Sequence, residues 1–260
     1  MMKTPMTFDM PARWIDRPLN IVLLGAGGAG SEVFDGLVRL HKVLNALDHP
    51  GLRVTVYDGD SVSPSNTVRQ RFFDQDVGEN KATLLVHRAN VYHGLSWAAV
   101  PEMYVPEVAN SEPDLLIGCV DSAAFRVALH DAYARTYRHT LWLDLGNDAV
   151  DGQCVLGHLG RPSHGDRHLP NVVELFPTLR DTVDDNTPSC SAAEALRSQD
   201  AFINRTLADA ALNLLYRLLR DAQIQYHGSF VNVKTGEVRA LPIDPTMWAA
   251  LGYTFNQWGA

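Results

Sequence analysis

The 260-residue chain has three cysteines, Cys119, Cys154 and Cys190, and no two of them are close in sequence. That scarcity excludes a disulfide framework and any paired CxxC zinc motif, and it fits a reducing compartment. No stretch approaches the ~20 apolar residues of a membrane-spanning helix. The opening MMKTPMTFDMPARW carries Asp9 and lacks the continuous apolar run of a signal peptide. Lys and Arg are not clustered: 22 basic residues face 30 acidic ones, for a net charge of −8. Such a chain lacks the electrostatic footprint of a nucleic-acid binder. These absences point to a cytoplasmic protein that partners neither membrane nor nucleic acid.

What is present is globular material, 46% hydrophobic and 20% charged, long enough to bury roughly 70–75% of its unfolded surface. Asn20 to Leu24 reads as a buried strand, followed by glycines and then by Val33, Leu37, Leu40 and Leu44 at helical spacing. Leu52 to Tyr57 is a second strand, closed by Asp58-Gly59-Asp60, and Lys81 to Tyr92 is a helix. Asp114 to Val120 predicts a strand, Ser122 to Tyr137 a helix, and Thr140 to Leu145 and Gln153 to Leu159 two further strands. This alternation, with uninterrupted apolar strands, predicts an α/β fold, Rossmann-like and doubly wound on a mainly parallel sheet.

The last third differs. Gly160 to Ser189 holds four prolines and reads as a long irregular loop, a kind of segment that is usually functional or disordered. A helix is predicted from about Asn204 to Ala222, then an antiparallel hairpin from Gly228 to Ile243 around Lys234-Thr235-Gly236-Glu237. The chain thus divides into an N-terminal arm (1–18), a strand–helix part (19–159), a loop region (160–203), a helix and hairpin of the same domain (204–245) and an aromatic tail (246–260). The tail carries Trp248, Tyr253, Phe255 and Trp258, which either pack on the domain or form a docking segment.

Gly25, Gly27 and Gly30 satisfy GxGxxG between a predicted strand and a predicted helix. Glycines there permit a tight turn and close approach of phosphate to backbone, and the helix N-terminus adds free N–H groups. The same glycines also serve plain strand–helix packing. Asp58 is placed to bind a ribose hydroxyl, or else forms the turn before Gly59. A nicotinamide enzyme would share both features. Arg69, Arg71 and Lys81 discriminate, because charge builds on the phosphates during nucleotidyl transfer but not during hydride transfer. Asp121, at the end of a strand, suits Mg²⁺ bound jointly with triphosphate oxygens. Taken singly, Arg69 fits a surface ion pair, Lys81 a solvated helix face and Asp121 a helix N-cap. Together they favour ATP.

Gly25 to Gly30, Asp58, the run Asn66-x-x-Arg69-Gln70, Lys81 and Asp121 follow one order and spacing. That set resembles the ThiF/MoeB/HesA superfamily, the ubiquitin-activating-type adenylating enzymes, from about Leu19 to Ile243. Asp200 to Asn204, before the long helix, is most similar to the ThiF-related protein of the PRTRC system. The resemblance implies an adenylyltransferase that activates the C-terminal carboxylate of a ubiquitin-like or sulfur-carrier-like protein. Gly27, Gly28 and Gly30 would lie against the nucleotide, Asp58 would bind the ribose with Asp60 beside it, and Asn66, Arg69 and Gln70 would contact the phosphates. Arg69 and Lys81 would stabilise charge on the α-phosphate and pyrophosphate, and Asp121 would hold Mg²⁺. Cys190 would accept the acyl group or form a persulfide on a crossover loop, its plainer role being a small residue at a helix start.

The resemblance also implies a homodimer in which an arginine of one copy reaches the ATP of the other, with Arg13 and Arg17 as candidates. No zinc is expected, since the family's paired CxxC motifs are absent; His158, His164 and His168 line what reads as a solvated loop. Cys119 and Cys154 read as core residues. The rival readings are a nicotinamide-dependent oxidoreductase and a catalytically silent scaffold subunit.

Overall fold

Aliphatic runs become strands where helices cover both faces of a sheet. The computed structural model describes residues 6–106, 112–136, 139–162, 168–184 and 199–254. In chain order its elements are β1 (Phe8–Asp9), β2 (Leu19–Leu24), α1 (Gly28–Ala46), β3 (Leu52–Tyr57), α2 (Lys81–His93), β4 (Ala98–Val100) and β5 (Leu115–Gly118). They continue as α3 (Ala123–Tyr133), β6 (Leu141–Asn147), β7 (Asp151–His158) and α4 (Val172–Leu175). The chain closes with α5 (Ile203–Asp221), β8 (Gln223–Ile224), β9 (Tyr226–Asn232), β10 (Glu237–Pro242) and α6 (Pro245–Leu251).

Eight strands form one sheet in the order β10-β9-β7-β6-β5-β2-β3-β4, and β1 pairs with β8 apart from it. The five from β6 to β4 run parallel, whereas β7, β9 and β10 add antiparallel pairs. β2 lies between β3 and β5, so the winding reverses beside it. A crevice forms outside the carboxyl ends of strands at such a switch point. The fold is the Rossmann-like α/β arrangement the alternation predicts, with an antiparallel extension.

Several boundaries shift. β5 ends at Gly118, so Cys119, Val120 and Asp121 lie beyond the strand. α3 starts at Ala123 and stops at Tyr133, with Ser122 as N-cap accepting the Phe125 N–H at 3.0 Å. The expected irregular loop contains structure: Asn171 caps α4, and Glu174 accepts the Asn171 N–H at 2.9 Å in return. Leu169, Val172, Val173 and Leu175 are buried, so this stretch is anchored by the core. The histidines there are packed too. His158 accepts the Leu169 N–H at 2.9 Å and stacks on His168, which hydrogen-bonds Glu174. The expectation of a solvated loop fails for both, and His164 lies outside the described residues.

The aromatic tail packs on the domain as far as Tyr253. Trp248 is buried and donates to His227 Nε2 at 2.8 Å. His227 in turn donates from Nδ1 to the Leu156 carbonyl at 2.7 Å. Phe255 and Trp258 lie outside the described residues. α5 lays Leu207, Ala211, Leu214, Leu215 and Leu218 into the core, and Gly36 on α1 leaves room for the Leu212 side chain of α5. Among the described residues no helix is long and apolar enough to cross a membrane.

Burial pushes His227 down to about 4 and His158 to about 3, from an ordinary 6.5. Both are neutral in the fold, so below pH 6.5 the unfolded chain takes up protons that the fold refuses, and stability falls with pH. The two imidazoles together are expected to cost about 4 kcal/mol of unfolding free energy between pH 7.5 and pH 5. Urea denaturation across that range measures it, and a His227→Gln variant should show a shallower pH slope.

Candidate active site

A cavity of about 910 Å³ opens at the carboxyl ends of β2, β3 and β5. Its first wall is the glycine loop. Gly25 has φ +84°, a left-handed backbone that disfavours side chains, and a Cβ there would lie 2.8 Å from the Cys119 carbonyl oxygen. A Cβ on Gly30 would overlap the Gly25 carbonyl. Those two glycines therefore close the turn and bring the start of α1 against Cys119, just past β5, and Gly30 faces the loop's own backbone. Gly27 and Gly28 line the cavity. A Cβ on Gly27 would meet nothing nearer than Gln70 at 3.9 Å, whereas one on Gly28 would meet the Asn204 amide at 2.7 Å.

Asp58, at the end of β3, is 6% exposed. Its carboxylate accepts the Ala26 N–H at 2.5 Å and the Asp60 N–H at 2.8 Å. Burial raises its pKa against these hydrogen bonds. The residue thus ties the glycine loop to the neighbouring strand while still lining the cavity, and a carboxylate keeps acceptor capacity beyond two bonds.

Lys81 opens α2 and is buried rather than on a solvated face. Its ammonium pairs with Asp60 at 3.0 Å. Asn80 caps α2 through Thr83 N and donates to the carbonyls of Asp58 and Asp60 at 2.8 and 3.1 Å, which fixes where Lys81 begins. Arg69 is not in a surface ion pair. Its Nη1 donates to Gln199 Oε1 at 2.9 Å, and its Nε is buried with no hydrogen bond among the described residues. Gln70 Oε1 is likewise buried and without a donor among the described residues. Burial lowers the Arg69 pKa while Asp121 raises it, and the guanidinium stays charged at such sites.

Asp121 is exposed and lines the cavity. The N-cap role that might have claimed it belongs to Ser122. Asn66 is buried and also lines the cavity, but its Oδ1 is engaged by the Ser63 N–H at 2.9 Å. Arg71 pairs with Glu32 at 3.0 Å and Asp35 at 2.8 Å and is not a cavity residue. Arg13 and Arg17 bind Asp114 at 3.1 and 2.5 Å, at the amino end of β5 and away from the cavity. Cys119 lines the cavity with a thiol whose pKa burial drives up, and Cys154 is buried in β7. Cys190 lies outside the described residues.

The far wall holds residues that sequence reasoning missed. Arg126 on α3 donates from Nε to both oxygens of Asp144 at 3.0 and 2.9 Å and from Nη2 to the Leu145 carbonyl at 2.9 Å. Asp184 accepts from Ser122 Oγ and Ala123 N, both at 2.6 Å, and so reinforces the start of α3. Gln199 and Asn204 join through a 2.8 Å hydrogen bond beside the glycine loop. Ser122 and Asp184 are 62 positions apart and Arg126 and Asp144 are 18, and no local pattern marks any of these contacts. Among the described residues, no group of three or more His, Cys, Asp or Glu is placed to hold a metal ion.

The sheet order and the cavity at its switch point define a doubly wound α/β protein with a glycine-loop cleft. The chain belongs to the ThiF family, whose model matches residues 17–245. Among solved structures it is similar to PaaA, with TM-score 0.56 and 14% identity over 88% of this chain and 64% of that one. It is also similar to Escherichia coli MccB solved with ATP, with TM-score 0.56 and 15% identity over the same shares, 88% and 64%. A third similar structure is the microcin C7 biosynthetic enzyme MccB in complex with N-formylated MccA, at TM-score 0.56 and 15% identity over 88% and 64% of the two chains. The matched region thus spans about 64% of the length of these proteins. No match is found among curated protein sequences.

A Gly30→Ala variant should lose about 3 kcal/mol of stability, because its methyl group meets backbone that has nowhere to move. Denaturant unfolding checks this, and a wild-type midpoint would contradict the packing role given to Gly30.

Proposed function

We propose that the chain is an ATP-dependent adenylyltransferase that activates the terminal carboxylate of a ubiquitin-like or sulfur-carrier-like protein as an acyl-adenylate, acting as a homodimer. One observation carries this reading: Arg69, bound to a neutral amide and to no carboxylate among the described residues, stands with buried Lys81 in a cavity walled by a glycine loop. The unmatched Arg69 Nε and Gln70 Oε1 fit a polar ligand there. MccB, a protein of the same fold, has been solved with ATP and with MccA, which supports a polypeptide substrate. The narrower kinship with the PRTRC protein belongs to the same proposal.

The chemistry is attack of the substrate carboxylate on the α-phosphorus, with pyrophosphate leaving. No protein nucleophile is needed, so positioning and electrostatics carry the step. Arg69 and Lys81 bind the triphosphate and offset charge on the departing pyrophosphate. The Gly27 and Gly28 backbone admits the phosphates closely, and Asp58 takes the ribose. Asp121 is the residue to hold Mg²⁺, which usually needs only one or two carboxylates besides phosphate oxygens and water. Mg²⁺ supplies charge neutralisation on the phosphates when bound. In a second step the Cys190 thiolate attacks the acyl carbon of the adenylate, forming a thioester and releasing AMP. An oxidoreductase would not need two cations at this cleft, which favours nucleotidyl transfer.

Pyrophosphate exchange into ATP, with and without small Gly-terminated proteins, tests the reading. Exchange is expected to appear with the cognate protein and to fall about 100-fold in Arg69→Ala or Lys81→Ala. No exchange with any candidate, together with unchanged ATP binding in Arg69→Ala, would leave a silent scaffold instead. Mass spectrometry after turnover tests Cys190: a thioester should be present in wild type and absent in Cys190→Ser.

A further inference from the structure

Arg69 and the glycine loop are joined by a pair of side chains that none of the site assignments includes. Gln199 Oε1 accepts from Arg69 Nη1 at 2.9 Å and from Asn204 Nδ2 at 2.8 Å. Two donors facing one atom settle which end of the Gln199 amide is the oxygen, and they use both of its lone pairs. Asn204 sits in the first turn of α5, is 3% exposed, and lies where a side chain on Gly28 would otherwise be. A continuous set of contacts therefore runs from Gly28 through Asn204 and Gln199 to Arg69.

We propose that Gln199, anchored by Asn204, is a positioning residue that holds Arg69 toward the triphosphate without neutralising it. The inference rests on the adenylation reading above. Arg side chains carry much rotamer entropy, and a guanidinium fixed in advance loses less of it on binding phosphate. An acid in place of Gln199 would orient Arg69 equally well but would cancel its charge. The neighbouring cation shows the contrast: Lys81 does pair with a carboxylate, that of Asp60. Arg69 instead receives an amide, and Asp121 acts on it through space without a hydrogen bond among the described residues, so no bonded acid cancels its charge.

Calorimetric titration with ATP and with adenosine, on wild type, Gln199→Glu, Gln199→Ala, Arg69→Ala and the Arg69→Ala/Gln199→Glu double variant, tests this. Gln199→Glu should weaken ATP binding about tenfold or more, the scale of a hydrogen bond to a charged group, and leave adenosine binding unchanged. Gln199→Ala should keep ATP affinity within about threefold yet slow pyrophosphate exchange about tenfold, since Arg69 keeps its charge but loses its orientation. In the Arg69→Ala background Gln199→Glu should have no further effect. Equal losses for ATP and adenosine, or full additivity in the double variant, would overturn the positioning role and indicate a general packing role. Wild type that binds ATP and exchanges pyrophosphate while Gln199→Glu does the same would overturn this inference alone. Wild type that binds no ATP would overturn the adenylation reading with it.

Discussion

The hold of Asp58 on the Ala26 N–H, at 2.5 Å, is the interaction on which the rest of the cleft depends. A buried carboxylate is costly unless it is hydrogen-bonded, and Asp58 offsets that cost with two backbone donors from different loops. One donor belongs to the glycine loop after β2 and the other to the turn after β3. The same turn carries Asp60, which pairs with Lys81, and its backbone carbonyls receive the Asn80 amide. The start of α2, the direction of Lys81 and the shape of the glycine loop are therefore set around one side chain.

The two walls of the cavity use different physics. The glycine wall works by omission, since Gly25 and Gly30 let backbone meet backbone where any methyl group would intrude. The far wall works by charge buried in pairs. Arg126 and Asp144 are each under a tenth exposed and bonded through three contacts counting the Leu145 carbonyl. Breaking such a pair from one side usually costs about 3–5 kcal/mol, because the survivor is left buried and uncompensated. Between the walls, Arg69 stands as a cation held by an amide.

Much of this was legible from residues in order. β3 spans Leu52–Tyr57, as the β-branched run predicts, and α2 begins at Lys81, because Asn80 and the apolar spacing are local signals. The stretch from 160 to 189 misled, because four prolines mask a short capped helix whose apolar residues face the core. β4 and β8, three and two residues long, were too short to show any period. Arg71 looked like a third phosphate ligand by proximity in sequence. Its guanidinium instead turns to Glu32 and Asp35 on α1.

The sequence alone determined the class of fold, the glycine turn and the identity of its charged neighbours, since periodicity, φ > 0 and a strand end are properties of adjacent residues. Only the tertiary structure decided which partner each of those groups meets. Lys81 is paired to Asp60, Asn66 is partly used by the Ser63 N–H, and Arg69 is paired to no acid among the described residues. The partner that settles this for Arg69 is Gln199, 130 positions away, and Asn204 and Asp184 likewise lie 60 or more positions from Gly28 and from Ser122 and Ala123. A hydrogen bond acts over a few ångströms of space, and only folding brings such residues within that range.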